Sequence, residues 1–256
     1  AGGNDTPVTA PERTDVPPAN GDLGHKRCRS PERLIVKVIE RSDRGAPDRR
    51  CRDSYTRAVA TAHRRLGLLG GTFDPPHIGH LLAAVNVRRA LSLDEVLLVV
   101  ANDPWQKSGS RSITAAADRL AMVRAASEGL DGVEASDLEI ERGGPSYTID
   151  TVEQVLATAP GTEVFIIVGA DAAGAIDTWH RCRELPALAS LVVVDRLGVA
   201  APAPPSWWPA IHVEIPCVEL SSTDLRARVV DGRPLDVLVP PAVVTCIEQR
   251  RLYGAP

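Results

Sequence analysis

Three uninterrupted apolar runs constrain this chain more than anything else in it: Val96-Leu97-Leu98-Val99-Val100-Ala101, Val164-Phe165-Ile166-Ile167-Val168 and Leu191-Val192-Val193-Val194. A run that is apolar at every position has no face to turn to water. It is read as a strand covered on both sides, the habit of parallel sheets. Helical patterns lie between such runs. The spacing predicts a short strand over 66–69 and a helix over 79–91 with Leu82, Val85 and Ala90 among its apolar positions. A second helix is predicted over 115–127, capped by Thr114, with Leu120, Val123 and Ser127 at helical spacing. A strand over 133–138 and a helix over 149–157 follow. Residues 211–215 alternate as a strand should, and helices over 223–230 and 241–250 come last. Strands alternating with helices give an α/β protein built on a parallel, doubly wound sheet. Residues 201–209, rich in proline, read as an irregular loop in which Trp207 and Trp208 serve packing or an interface.

Residues 1–65 are of another kind. They carry 14 Lys+Arg against 9 Asp+Glu, whereas 66–256 carry 15 against 24. The division is therefore 1–65 and 66–256. The first stretch reads as a basic, disordered extension, or as sequence upstream of a start near Arg65. It has no apolar core of a secretory signal, and its nine acidic residues argue against a transit peptide. An acidic main domain is unlike a nucleic-acid binder, and no apolar run approaches the ~20 residues of a membrane span. Cys28, Cys51, Cys182, Cys217 and Cys246 are odd in number and form no C-x-x-C pair. That speaks for free thiols in a reducing cytoplasm and against a disulfide framework or a structural metal.

The first candidate site is Gly70-Gly71-Thr72-Phe73-Asp74-Pro75-Pro76-His77-Ile78-Gly79-His80, at a strand-to-helix junction. Glycines let backbone approach a ligand, and two prolines stiffen the loop. His77 and His80 are three apart, so both imidazoles lie on one side of the first helical turn, where amides and the helix dipole favour phosphate. Gly79 is read as keeping that surface open. The second site, Leu220-Ser221-Ser222-Thr223-Asp224-Leu225-Arg226, brings hydroxyls to a helix start with Arg226 a turn later. Alone it is no more than a capped helix. Val168-Gly169-Ala170-Asp171 ends a strand, where open α/β sheets bind ligands, and Asp171 could accept from ribose hydroxyls.

The first string resembles the signature of adenylyltransferases with a His-x-Gly-His motif, especially bacterial nicotinate-nucleotide adenylyltransferases, and the likeness runs from about Leu66 to Tyr253. The resemblance implies a Rossmann-like, doubly wound parallel sheet. It places Gly71, Thr72, Phe73, His77, His80, Ser222, Thr223 and Arg226 on ATP, the catalytic group being His77, His80 and Arg226. It places Asp74, Lys107, Tyr147, Thr148, Asp171 and Trp179 on nicotinate mononucleotide. Trp179 would stack on the pyridine ring, and the segment 143–148 would offer backbone amides to its carboxylate. Pro104-Trp105-Gln106-Lys107 has an actinobacterial form; Lys107 either neutralises a phosphate or is a solvated side chain. His180 and the small residues Ala172-Ala173-Gly174 depart from the pattern.

The implied reaction is attack of the mononucleotide phosphate on the α-phosphorus of ATP, with Mg²⁺ carried by the phosphates and no dedicated protein metal site. The attacking oxygen is already ionised at neutral pH, so no general base is needed. The expected partners are ATP and nicotinate mononucleotide, with homo-oligomers open. Three rivals share features. A pantetheine-phosphate or cytidylyl transferase has the same loop, but Ser146-Tyr147-Thr148 and Asp171 with Trp179 favour a pyridine nucleotide; nicotinamide mononucleotide stays open beside the acid, towards which amides and a helix dipole lean. A class I aminoacyl-tRNA synthetase shares His77-Ile78-Gly79-His80, yet this chain is short and has no Lys-Met-Ser-Lys-Ser string. A nucleotide sensor without chemistry would not need His77, His80 and Arg226 together.

Overall fold

The protein is seen here as a computed structural model that describes Gly2 and residues 63–104, 113–196 and 203–255. Its contacts divide the chain into Ala1–Arg33 and Leu34–Pro256, and all that follows concerns the second unit. The expectations for residues 1–62 and for Lys107 lie outside the described residues.

The three apolar runs are interior strands. β1 (Arg65–Gly71), β2 (Glu95–Val100), β3 (Val133–Ser136), β4 (Glu163–Gly169), β5 (Ala189–Arg196) and β6 (Ala210–Ile215) form one sheet in the order β3-β2-β1-β4-β5-β6. All five pairings are parallel. The helices are α1 (Ile78–Ala90), α2 (Ala116–Ser127), α3 (Leu138–Arg142), α4 (Thr148–Thr158), α5 (Ala170–Gly174), α6 (Ser222–Val230) and α7 (Pro241–Gln249). The chain winds outward from β1 to β3, then crosses back to place β4 on the other side of β1. This is the doubly wound, Rossmann-type order, and its switch point lies between the C-terminal ends of β1 and β4.

Alternation along β1 serves both layers. Leu66 and Leu68 pack with Ile149, Val152 and Val155 of α4, while Leu69 packs with Ala83, Ala84 and Val87 of α1. Burying side chains such as Ile149 or Leu66 stabilises the fold by about 1.5–3 kcal/mol each. A third cluster joins Met122 and Ala126 of α2 to Leu225 of α6 and Val243 and Ile247 of α7. It docks the C-terminal helices beside the loop that follows β1.

Two local expectations need correction. The strand expected over 133–138 stops at Ser136, and Leu138 opens α3 instead; the Ser136 hydroxyl accepts the Leu138 N–H at 3.4 Å and turns the chain. Thr114 does not cap α2, whose N-cap is Ala115 with no side-chain cap; the Thr114 carbonyl instead accepts Arg119 Nε at 2.8 Å. Trp207 and Trp208 do pack in the loop before β6. Trp208 is buried, and Trp207 donates from Nε1 to Asp177 Oδ1 at 3.0 Å under the Arg183 guanidinium. Among the described residues, no helix is long and apolar enough to cross a membrane.

Candidate active site

β1 ends in Gly70-Gly71 at the switch point. A Cβ on Gly71 would come within 2.9 Å of the Phe73 ring, so only glycine lets that ring fold back beneath the loop. Phe73 itself takes the left-handed region, φ 50°. Thr72, Phe73, Asp74 and His77 are all buried, with Asp74 2% exposed.

His77 is the extended N-cap of α1, and its N–H donates to His80 Nδ1 at 3.2 Å. A ring nitrogen that accepts carries no proton, so in neutral His80 the proton sits on Nε2, which then acts as a donor. The two imidazoles lie with ring centroids 3.8 Å apart, and the Phe73 ring meets His80 edge-on at 4.9 Å. A Cβ on Gly79 would stand 3.0 Å from His77 Nδ1 and Cε1. Gly79 therefore makes room for the His77 ring, a closer constraint than the open surface expected of it. The first-turn amides are partly committed: Ile78 N–H donates to Leu238 O at 3.0 Å and His80 N–H to His77 O at 2.9 Å.

The second motif comes to the same loop. Ser221 caps α6 by accepting the Asp224 N–H at 3.1 Å. Ser222 Oγ donates to Pro75 O at 2.9 Å. Arg226 donates from Nη1 to Asp74 O at 2.7 Å and from Nη2 to Thr223 Oγ1 at 3.1 Å. Thus α1 and α6 present their N-terminal, positive ends around one stretch of backbone.

Across the switch point, β4 runs into α5, with Asp171 exposed in its first turn. Tyr147 and Thr148 begin α4, and Tyr147 stacks on His180 with ring centroids 4.4 Å apart. Trp179 is half-buried, packed against the same core cluster as Tyr147. Arg181 binds Glu153 of α4 and Glu184 at 2.8 and 2.7 Å, and holds this turn against α4. Its hydrogen bond is the chief reason the Glu184 carboxyl lies below its ordinary range. The turn 143–146 is tied to the loop after β2: Asn102 N–H donates to Ser146 Oγ at 2.8 Å, and Ser146 N–H to Asp103 O at 3.0 Å.

Two residues that the sequence reading passed over are central here. Arg119, 1% exposed, donates to the carbonyls of Thr72 at 2.9 Å, Asn102 at 3.1 Å and Thr114 at 2.8 Å. Its signal was present: it falls on the buried face of α2 with Met122, Val123 and Ala126, where a charge is out of place. Tyr253 donates its hydroxyl to Asp74 Oδ1 at 2.7 Å. Burial, reinforced by that hydrogen bond, pushes the phenol well above its ordinary range, so it remains a donor. No local pattern announces it.

Residues 68–228 match the family model described as cytidylyltransferase-like. The chain is 42% identical over 198 residues to a probable nicotinate-nucleotide adenylyltransferase of Corynebacterium kroppenstedtii, covering 76% of this chain and 93% of that one. A protein of the same name from Frankia casuarinae is 44% identical over 187 residues, covering 72% and 98%. Among solved structures, the Plasmodium falciparum nicotinic acid mononucleotide adenylyltransferase complexed with NaAD superposes with a TM-score of 0.63 at 17% identity, covering 76% of this chain and 99% of that one. At that identity the likeness speaks for the fold.

Proposed function

The chain belongs to the nicotinate-nucleotide adenylyltransferase family of cytidylyltransferase-like proteins, and on that premise we propose that it joins the adenylyl group of ATP to nicotinate mononucleotide, releasing pyrophosphate, in NAD biosynthesis. The observation that carries the reading is the convergence of α1 and α6 on the loop after β1, with His77, His80 and Arg226 around it.

In this reading a phosphate oxygen of the mononucleotide attacks the α-phosphorus of ATP. A new P–O bond forms as the bond to the β-phosphate oxygen breaks, and the electron pair leaves with pyrophosphate. The nucleophile is already ionised, so the protein's task is positioning and charge stabilisation. The Nε2–H of His80 is the donor suited to a non-bridging α-phosphate oxygen, and His77 flanks it. Backbone of Gly71, Thr72 and Phe73 borders the nucleotide, while Ser222, Thr223 and Arg226 face its phosphates. On the other side of the switch point, Asp171 takes the ribose, the exposed part of Trp179 stacks on the pyridine, and Tyr147-Thr148 at the start of α4 favour a carboxylate through the helix dipole. Lys107 is assigned to the mononucleotide phosphate. Asp74 acts on the mononucleotide indirectly, as a buried brace of the loop that receives it.

The donor set suits a Mg²⁺ carried by ATP: imidazoles and a guanidinium are phosphate partners, and no cluster of three His, Cys, Asp or Glu fit for a metal occurs among the described residues. Bound there, Mg²⁺ would draw charge from the phosphate oxygens.

The test incubates the protein with ATP and Mg²⁺ beside nicotinate or nicotinamide mononucleotide and follows pyrophosphate and dinucleotide. Faster turnover of the acid is expected. Release with phosphopantetheine alone, or no release with either mononucleotide, would sink the reading. His80→Ala should lower kcat by about 100-fold while ATP affinity changes little; near-normal turnover would remove His80 from the mechanism.

A further inference from the structure

The chain's last described turn reaches back into the site. Arg251, Tyr253 and Gly254 have φ of 50°, 59° and 81°. Left-handed backbone is unfavourable for arginine and tyrosine and persists where surrounding contacts over-determine it. Here those contacts are the third core cluster, against which Tyr253 packs, and Met122 Sδ at 3.7 Å from its hydroxyl. The result is a phenol delivered to Asp74, 179 residues away in sequence.

We propose that Tyr253 is a positioning residue which, through Asp74, sets the loop that leads into α1 and its His80. The proposal rests on the adenylyl-transfer reading and deepens it. A hydrogen bond from a phenol to a carboxylate is among the stronger neutral-to-charged kinds, more so where water is excluded. Asp74 is 2% exposed, so its carboxylate has little solvent to replace a lost donor. Asp74 is also held at its backbone, since its carbonyl accepts Arg226 Nη1. Its neighbour Phe73 lies in the left-handed region with its ring against His80, and His80 Nδ1 is held by the His77 N–H. A contact path therefore runs from Tyr253 through Asp74 and Phe73 to the imidazole. Removing one hydroxyl at its far end relaxes the loop without touching either nucleotide.

The test compares wild type with Tyr253→Phe, which keeps the ring and loses the hydroxyl, and Asp74→Asn, which keeps an oxygen acceptor but loses its charge. For Tyr253→Phe, kcat should fall about tenfold, with both KM values within about twofold of wild type, at temperatures well below Tm. Asp74→Asn should fall less, and the double variant should be no slower than Tyr253→Phe alone, because the two act as a unit. The second readout needs no turnover: the ¹⁵N-labelled imidazole signals of His80 should move in Tyr253→Phe. Unchanged kcat with a lowered Tm would show packing only and overturn the proposal. So would a rise confined to the mononucleotide KM, which would make the pair a substrate contact. If wild type forms no dinucleotide, the adenylyl-transfer reading fails, and the His80 signals decide the positioning claim by themselves. If Tyr253→Phe does not fold, the same signals in Asp74→Asn decide it, unmoved signals counting against it.

Discussion

Gly79 lies against the His77 imidazole with no space for a side chain. Alanine in its place would gain about 1 kcal/mol of helix propensity, but its Cβ would press on the buried His77 ring at 3.0 Å. That ring lies tilted against His80, with centroids 3.8 Å apart, and cannot move without disturbing it. Gly79→Ala should therefore leave Tm nearly unchanged while lowering kcat about tenfold, measured by steady-state pyrophosphate release. Unaltered kcat would mean that the His77 ring yields harmlessly. The pair His77 and His80 was legible in the sequence because positions three apart in a helix share a face whatever the fold. The tautomer of His80 was not legible, since it depends on the extended N-cap conformation of His77.

Helix α6 shows the same division one level up. Its start was readable from Ser221 and Ser222 as hydroxyls preceding a helical pattern, and Ser221 does cap it. Its destination was not readable: Ser222 and Arg226 donate to the backbone of Pro75 and Asp74 because Leu225 docks α6 into the cluster with α2 and α7. The helix is further tied by Asp224, which accepts from Arg228 at 2.8 Å and lies 3.6 Å from Arg233. The Arg228 hydrogen bond is the chief reason its carboxyl lies below the ordinary range. A carboxyl lowered by folding contributes stability that is present above its unfolded pKa, about 3.9, and is lost as pH falls through the folded value. Asp224→Asn should thus lower Tm at pH 7, and the difference should shrink as the pH drops below about 4. A difference constant down to pH 3 would show that the charge is irrelevant. The effect is small, since the pair is exposed to solvent screening.

At the scale of the molecule, Arg119 joins the loop after β1, the loop after β2 and the entry to α2 through three backbone carbonyls. Arg119→Met fills much of the volume but leaves those carbonyls without that donor, at about 1–3 kcal/mol for each one left unsatisfied. A net loss of about 3 kcal/mol is expected, or roughly 6–12 °C in Tm for a domain of this size, with Arg119→Lys falling between. A Tm equal to wild type would show that the carbonyls find other donors. The sequence by itself determined the class of fold, the strands of the double-sided core and the glycine, proline and histidine loop that closes β1. Those follow from apolar periodicity and from glycine, proline and histidine spacing, which are properties of local backbone geometry. Only the tertiary structure decided that Ser222 meets Pro75 across 147 residues, Arg226 meets Asp74 across 152, and Tyr253 meets Asp74 across 179. Each of those bonds exists because the strand order opens a crevice at the end of β1 and because α6 and α7 dock on α2 beside it. Long-range docking of that kind leaves no period in the chain to read.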